Sequence, residues 1–259
     1  MKQDKRYNYV QGTSTTDHGS RTYEIQGARL PSVTTILAKT KDDQYIRRWK
    51  QKVGYDEATR IANHSSLRGS AMHKFIEKYI KESGYADLTP IGEEAKPMAE
   101  KIIEIGLAPV KHYYGSEITL YYPGLYAGAT DLICEHNEMD TIIDFKQSNR
   151  PKQREWIDDY FLQIAAYAMA HDYVHKSQIR QGVIMVCTPD RYYQEFTIQD
   201  ADLRGWKHKF LKRLDQYYDL MHDEKENTPI DTKHLLDEFE KEAGKLDKAK
   251  KGDMVKKLW

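Results

Sequence analysis

Two strand-like segments within residues 126–146 most constrain the fold, because each carries a carboxylate and a polar turn joins them. The first segment contains Asp131, and the second ends with Asp144 and Lys146. Since side chains alternate along a strand, Asp144 and Lys146 project from the same face. We expect the two segments to form a hairpin that brings Asp131 to the same place. Two acids that hold a divalent cation, with an ammonium group beside them, suit the hydrolysis of a phosphodiester.

A less specific interpretation is open, because an Asp-x-Lys pair on a strand is most often a solvated surface pair. Ile142 and Ile143 argue against it, since they predict a partly buried strand that nevertheless ends in two opposite charges. Gly128 precedes Asp131 and would let a backbone approach the strand closely. These residues therefore favour a site at the edge of a sheet.

The composition excludes several classes of protein. The 259 residues include 40 basic and 40 acidic side chains, so nucleic-acid binding would depend on local patches or on a metal. The two cysteines, Cys134 and Cys187, cannot form a four-cysteine zinc or iron–sulfur site, and no disulfide framework is implied. The sequence contains no apolar run of membrane-spanning length and no signal or transit segment, so we expect a cytoplasmic protein.

The spacing of apolar residues predicts helices first, then three strands, a helix, two strands and further helices. This order is typical of an α/β fold with a small mixed sheet. Ser32 is the expected cap of the first helix, and a break is expected near residues 63–66 and Gly69. A short hairpin is expected at residues 23–30. The expected helices are 32–39, one from Asp42 or Asp43 to 53, 55–83, 93–106, 155–175, one from Asp200 or Asp202 to 221, and a C-terminal segment with apolar residues at helical spacing over 235–246. The expected strands are 117–122, 126–135, 141–146, 179–187 and 191–198.

His73 and Glu77 lie four residues apart on a predicted helix and so share a face. A surface His–Glu pair is an equally good interpretation. A neutral imidazole is also a ligand for manganese or zinc, and Glu77 would be a second ligand or orient the ring. Arg68 and Gly69, expected at the head of this helix, would supply a cation and backbone N–H groups that suit a phosphate.

Gln163 and Tyr167 also share one helical face. Most such pairs serve packing, but this helix follows directly after the Asp-x-Lys strand, so its inner face could look onto the same cleft. A basic cluster near residue 49 is most often a solvated helix face. The alternative is a surface that follows phosphates, with Trp49 packed inside, formed by Arg47, Arg48, Lys50 and Lys52.

Four motifs occur in a fixed order: Gly69-x-x-x-His73-x-x-x-Glu77, Gly128-x-x-Asp131, Asp144-x-Lys146 and Gln163-x-x-x-Tyr167. Together they resemble the RecB-like branch of the PD-(D/E)XK nuclease superfamily. Residues 30–37, Trp49 and residues 68–73 are more narrowly similar to the mitochondrial genome maintenance exonuclease family and its phage homologues. The similarity covers residues 30–198.

The resemblance implies a restriction-endonuclease-like αβββαβ core with extra N- and C-terminal helices. It implies that the metal is bound by His73, Asp131, Asp144 and the main-chain carbonyl of Phe145. Lys146 would position the attacking water, and Gln163 and Tyr167 would support the site. Glu117 matches a further acidic position of some members. The cofactor would be Mg²⁺ or Mn²⁺, and a second ion would bind through Glu77 or Glu117.

The family's substrates are DNA ends, usually single-stranded, that are threaded through a helical arch. We therefore expect one nuclease domain with a DNA-binding extension at 1–66, a catalytic core at 67–198 and C-terminal helices at 199–259. The expected activity is a metal-dependent exonuclease on single-stranded DNA, from a phage or a bacterium. A non-catalytic DNA-end-binding module and a structure-specific endonuclease stay open, as does a helicase, recombinase or replication partner. Backbone contacts are expected from Arg47, Arg48, Lys50, Arg68 and Ser70.

Overall fold

The computed structural model describes residues 1–223 together with Asp237 and Lys241. The helix expected from Leu235, Leu236, Phe239, Ala243 and Leu246 therefore falls outside the described residues. The described helices are α1 (Val33–Lys39), α2 (Gln44–Val53), α3 (Tyr55–Ile80), α4 (Pro90–Lys101), α5 (Asp158–His175) and α6 (Asp200–Asp223). The described strands are β1 (Lys2–Gln3), β2 (Thr13–Asp17), β3 (Ser20–Ile25), β4 (Ala28–Pro31), β5 (Val110–Tyr122), β6 (Tyr126–His136), β7 (Met139–Gln147), β8 (Gln181–Cys187) and β9 (Tyr193–Gln199).

A six-stranded mixed sheet forms the centre of the fold, in the order β1-β5-β6-β7-β8-β9. Strands β5, β6 and β7 are successive antiparallel neighbours, as the two short turns between them require. Strand β8 runs parallel to β7, because α5 carries the chain back across the sheet between them. Strand β9 then pairs with β8 in the antiparallel sense.

Helices cover both faces of this sheet, and successive residues of β7 show why. Ile142 packs in the cluster that contains residues of α1, α5 and α6. Ile143 packs in the other cluster, with residues of α3 and α4. Because alternate side chains enter opposite cores, both isoleucines are fully buried. The hairpin of β6 and β7 is thereby fixed between two apolar layers.

A second sheet of three antiparallel strands, β2-β3-β4, precedes α1. The sequence predicted only a short hairpin here, and the paired region extends from Thr13 to Pro31. Tyr23 and Leu30 pack against Ala127 of β6, and Ser32 forms a bridge to the same residue. The small sheet is therefore attached directly to the strand that carries Asp131.

Most predicted elements are present, although the break expected within α3 is not. Ser32 caps α1 as predicted, since its side chain accepts a hydrogen bond from the backbone N–H of Thr35 at 3.0 Å. The expected break near residues 63–66 and Gly69 is absent, because α3 runs without interruption from Tyr55 to Ile80. Gly69 packs so tightly on β7 that an added Cβ would lie 3.2 Å from Gln147 Cγ, and this packing outweighs the low helix propensity of glycine.

The mixed α/β class with a mixed sheet is thus confirmed. The described order of α4, three antiparallel strands, α5 and β8 follows the αβββαβ order. The narrower restriction-endonuclease-like assignment and the division into three regions stay predictions. Among the described residues, no helix has both the length and the apolar character to cross a membrane.

Candidate metal centre

The candidate site lies where β6 and β7 separate. Their pairing runs from His136 opposite Met139 to Leu132 opposite Ile143 and ends there. Asp131 and Asp144 are the next residues on each strand, so both carboxylates lie at the mouth of the gap between the strands. The expectation that the hairpin brings them together is therefore met by the geometry of the strand ends.

Phe145 is the first β7 residue whose backbone groups lose their strand partner on the β6 side. Its N–H donates instead to Asp131 Oδ2 at 2.7 Å. Its carbonyl accepts a hydrogen bond from His73 Nε2 at 2.8 Å. The unpaired backbone of β7 therefore orients two candidate metal ligands, which satisfies groups that would be costly to leave without a partner.

The ring of His73 is oriented by this second bond. Because Nε2 donates to the Phe145 carbonyl, Nδ1 faces the acidic side chains, 3.5 Å from Asp131 Oδ1 and 3.8 Å from Glu117 Oε1. A ring nitrogen that donates to a carbonyl while the other faces a cation site is the common arrangement of metal-binding histidine. The same bond occupies the Phe145 carbonyl, whose expected role as a metal ligand stays a prediction.

Glu117 reaches the site through an unusual backbone conformation. It lies opposite Asp131, since Ser116 pairs with Leu132 and Ile118 with Thr130. Its φ of +53° is in the left-handed region, which a non-glycine residue in a strand rarely adopts. Such a conformation costs on the order of 1–3 kcal/mol and is found most often at functional sites.

His73, Glu117 and Asp131 form a group whose potential ligand atoms all lie within 4.8 Å of one another. Asp144 borders the same cavity as this group, and its two carboxylate oxygens lie 2.8 and 2.7 Å from Lys146 Nζ. A donor set of carboxylate oxygens and one imidazole suits Mg²⁺, Mn²⁺ or Zn²⁺. The residues present therefore fit a divalent cation.

Lys146 connects these acids to α5. Its ammonium donates to Asp144 Oδ1 at 2.8 Å and to Gln163 Oε1 at 3.3 Å. The ring of Tyr160, which sequence reasoning missed, lies 5.0 Å from the ammonium. Gln163 in turn donates from Nε2 to the hydroxyl of Tyr167 at 3.2 Å. The Asp-x-Lys strand and the Gln163–Tyr167 helical face thus meet, as the sequence predicted.

Gly128 is needed for this meeting. A Cβ at this position would lie 2.7 Å from Cε1 and 2.8 Å from the hydroxyl oxygen of Tyr167. The sequence predicted the approach of a backbone at Gly128, and the structure shows the side-chain ring of Tyr167 there instead.

These side chains border one cavity of about 540 Å³. The acidic residues and Lys146 line it from the strands, and polar residues of α3 line it from the helix. Sequence reasoning missed the part that comes from β3 and the start of α1, because nothing local marks those residues as neighbours of Asp131. The lining comprises Arg21, Tyr23, Ser32, Thr34, Ser66, Gly69, Ser70, His73, Lys74, Glu77, Glu117, Gly128, Ala129, Asp131, Asp144, Lys146, Gln163 and Tyr167.

Burial and the crowding of acids shift the protonation equilibria of the site. Burial disfavours the imidazolium of His73, but Asp131 and Glu117 outweigh this effect and raise its pKa to about 10. Burial also raises the pKa of Asp144 to about 6, against the effect of Lys146 and with that of Asp131. Burial acts likewise on Asp131, but His73 and Lys146 outweigh it and lower the pKa of this carboxyl. His73 therefore carries a proton near neutral pH, and a cation that binds the imidazole must displace that proton.

Glu77 borders the cavity but lies outside the His73 group. Its two oxygens are each 2.7 Å from an ammonium, one of Lys74 and one of Lys81. Burial raises the pKa of Glu77, and the two lysines outweigh it and lower the pKa. The expected role of Glu77 as a second metal ligand stays a prediction, since both oxygens are engaged in ion pairs.

The structure corrects the expected surroundings of Arg68. Its guanidinium is not at the head of a helix but in the middle of α3, with 7% of the side chain exposed. It donates to Gln147 Oε1 at 3.0 and 3.1 Å, to Asn149 Oδ1, and to Glu94 Oε2 at 3.2 Å. Because Gln147 directly follows Lys146, we infer that Arg68 holds α3 against the end of β7.

Of the other expected DNA contacts, Ser70 borders the cavity, whereas the three basic residues of α2 do not. Ser70 lines the cavity, and its hydroxyl donates to the carbonyl of Ser66 at 3.0 Å. Arg47 is paired with Asp43 at 2.7 Å. The basic residues of α2 lie on an exposed helix, and the expectation that Trp49 packs inside is wrong, since α2 buries no residue. Arg47, Arg48 and Lys50 therefore form a solvated basic surface whose contact with DNA stays a prediction.

Comparison with known proteins finds relatives that are named as exonucleases. No protein-family model matches the chain. Three relatives carry the name mitochondrial genome maintenance exonuclease 1: the mouse protein is 30% identical over 209 residues, the human protein 28% over 216 and the Xenopus tropicalis protein 29% over 207. These matches cover 73–74% of this chain and 57–60% of each relative, so the chain spans less than two thirds of their length.

One solved structure is also similar, that of a presumed exonuclease from Eubacterium rectale. It is 13% identical, with a TM-score of 0.43 over 59% of this chain and 64% of that protein. A TM-score of this size is too low to establish a shared fold. The three vertebrate relatives are named as exonucleases.

Replacing Glu117 with glycine should lower the affinity for metal without lowering the stability of the protein. Glycine adopts positive φ at little cost and removes a carboxylate beside Asp131, so we expect the metal-free protein to gain about 1 kcal/mol or stay unchanged. Affinity for Mn²⁺ should fall, because the His73 group loses one oxygen. Urea unfolding and Mn²⁺ titration measure the two effects.

The matched control is Glu135→Gly, on β6 at an ordinary strand conformation. This variant should lose about 0.5–1 kcal/mol of stability, because glycine gives the unfolded chain more conformational freedom, all of which is lost when the strand forms. If Glu117→Gly destabilises the protein as much as Glu135→Gly does, the backbone conformation of Glu117 does not cost free energy.

Arg68→Lys should weaken the contact between α3 and β7. A single ammonium cannot reach the acceptors on Gln147, Asn149 and Glu94 together, so we expect a loss of about 1–3 kcal/mol in unfolding free energy. Affinity for Mn²⁺ should also fall, because His73 is carried by α3.

The control for Arg68→Lys is Arg60→Lys, on the exposed part of α3 where Arg60 pairs with Glu57. We expect its effect to stay below about 0.5 kcal/mol. A different result would favour direct contact of Arg68 with the DNA backbone: Arg68→Lys would keep its stability but bind DNA more weakly when no divalent metal is present.

Metal binding should release protons. At pH 7 a His73 with a pKa of about 10 carries a proton that a cation must displace, and Asp144, with a pKa of about 6, adds to this below pH 6. Lower proton concentration therefore favours the metal, and the Mn²⁺ affinity should rise by about tenfold per pH unit near pH 7. Calorimetric titration in two buffers of different protonation enthalpy counts the released protons.

His73→Gln is the control for this measurement, since the glutamine cannot carry the proton and its release near pH 7 should disappear. Equal binding heats in the two buffers for the unsubstituted protein would show that no proton leaves the site.

Proposed function

We propose that this chain is an Mg²⁺- or Mn²⁺-dependent deoxyribonuclease that hydrolyses phosphodiester bonds, working as an exonuclease on single-stranded DNA ends. One observation carries the proposal: His73, Glu117, Asp131, Asp144 and Lys146 border a single cavity at the ends of two diverging strands. The exonuclease names of the three vertebrate relatives support the same class of reaction.

The acids and the imidazole would hold the cation. His73 Nδ1, a carboxylate oxygen of Glu117 and one of Asp131 are near enough to share an ion, and Asp144 borders the same cavity with its carboxylate paired to Lys146. When bound there, a divalent cation lowers the pKa of a water and polarises the scissile phosphate. Its positive charge also removes the repulsion between an acidic cavity and DNA, so a neutral chain is no obstacle.

Lys146 would stabilise charge rather than accept a proton. Burial lowers the pKa of its ammonium, but Asp144 and Asp131 outweigh this and raise it above the ordinary value. A protonated lysine donates hydrogen bonds and cannot act as a base. We therefore assign Lys146 to orienting the attacking water and stabilising the negative charge that develops on the phosphate oxygens.

Gln163 and Tyr167 would fix the direction of that ammonium. Gln163 accepts from Lys146 and donates to Tyr167, and the ring of Tyr167 is confined by Gly128. Because each group is held by the next, the charge on Lys146 is oriented before a substrate enters. Such preorganisation is a large part of electrostatic catalysis.

The preference for a free single-stranded end is tested with two substrates of the same sequence, one linear and one circular. We expect the protein to degrade labelled linear single-stranded DNA with Mg²⁺ or Mn²⁺ and to spare the circle. Chelation of the metal should stop degradation. Asp144→Ala should abolish cleavage, and Lys146→Ala should slow it by about 10²–10³-fold while Mn²⁺ affinity is kept.

Two exposed positions provide controls of matched chemistry, Asp158→Ala on α5 and Lys111→Ala on β5; neither borders the cavity, and both should cleave at the unsubstituted rate. Cleavage of the circle would identify an endonuclease. Binding of DNA ends without any cleavage would identify a non-catalytic end-binding module. Full activity of Asp144→Ala would show that the site is elsewhere.

A further inference from the structure

Part of the cavity wall comes from the small N-terminal sheet. Arg21 and Tyr23 lie two residues apart on β3, so their side chains project from the same face of the strand. Both border the cavity that contains the His73 group, together with Ser32 and Thr34 at the start of α1. Tyr23 is buried, whereas Arg21 is exposed at the rim of this wall.

The backbone of Arg21 is held in place on both sides. Its N–H donates to Thr35 Oγ1 at 2.8 Å, and its carbonyl accepts from the Ser32 N–H at 2.9 Å and from Thr35 Oγ1 at 3.1 Å. Ser32 also forms the bridge to Ala127, immediately before Gly128 on β6. Arg21 is therefore supported by structured elements that are attached to the strand of Asp131, which gives a binding group a defined position.

The charges around the cavity single out Arg21. Besides His73, three cationic side chains from the described part of the chain border it, and Lys74 and Lys146 are each 2.7 Å from a carboxylate oxygen. Arg21 forms no ion pair with any carboxylate within residues 1–223, Asp237 and Lys241. A guanidinium offers a planar set of donors that fits phosphate oxygens in a bidentate manner, and its charge persists at every physiological pH.

We propose that Arg21 binds the phosphate adjacent to the scissile one on the substrate strand. This inference rests on the proposed nuclease function. The cavity then receives two consecutive phosphates of a DNA backbone: one at the group of His73, Glu117 and Asp131, and the next at Arg21. Recognition of this kind is independent of base sequence, because it involves only the sugar–phosphate chain.

Synthetic single strands test the proposal, each carrying one uncharged methylphosphonate at a defined position. For the unsubstituted protein, neutralising the phosphate next to the cut should lower kcat/KM by about 10-fold or more, because a charge-assisted hydrogen bond is lost. Arg21→Ala should cut the unmodified strand about 10-fold more slowly and lose nothing further from that one methylphosphonate. Arg21→Lys, which keeps the charge, should give intermediate values.

The matched control is Arg29→Ala, which removes an arginine of the same small sheet that does not border the cavity. It should respond to every methylphosphonate as the unsubstituted protein does. Melting temperatures of the Arg21 and Arg29 variants show whether each is folded, and Arg21→Lys keeps the test valid if Arg21→Ala is unstable.

Three results would overturn the role of Arg21. In the first, Arg21→Ala and Arg21→Lys keep the full penalty from the adjacent methylphosphonate. In the second, both behave as Arg29→Ala does on every strand. In the third, only removal of a terminal 5′-phosphate affects kcat/KM, which would assign Arg21 to the strand end. If the unsubstituted protein cuts no strand with either metal, the nuclease function itself fails, and the role of Arg21 fails with it.

Discussion

The separation of β6 and β7 beyond Leu132 and Ile143 determines the rest of the site. A strand that loses its neighbour leaves backbone N–H and C=O groups without partners, and these must be satisfied. At Phe145 the partners are the carboxylate of Asp131 and the imidazole of His73. The same two contacts therefore satisfy the backbone of Phe145 and bring the candidate metal-binding side chains together.

The two apolar layers make this arrangement possible. Ile142 and Ile143 anchor β7 from opposite sides, so the strand keeps its position although its end carries charge. Asp144 is 2% exposed and would be costly to bury alone, but the ammonium of Lys146 compensates its charge. Buried pairs of this kind contribute little net stability. The position of this pair beside an open cavity is more readily explained by chemistry than by folding.

Local patterns predicted the parts of the site that depend on periodicity. Side-chain alternation placed Asp144 and Lys146 on one face, and helical spacing placed Gln163 with Tyr167. Three features depend on distant contacts and could not be found in this way. The left-handed backbone of Glu117 has no local signal. The burial of Arg68 depends on Gln147 at the end of β7, on Asn149 and on Glu94 of α4. Arg21 reaches the cavity only because the small sheet packs on Ala127.

The unbroken course of α3 has a mechanical consequence. A helix of 26 residues is about 39 Å long, and its hydrogen-bonded ladder offers no hinge between Tyr55 and Ile80. Its first half emerges next to the solvated α2, and its second half carries His73 and is packed into the core. The exposed outer half of α3 and the half that carries the imidazole of His73 are therefore parts of one continuous, stiff element.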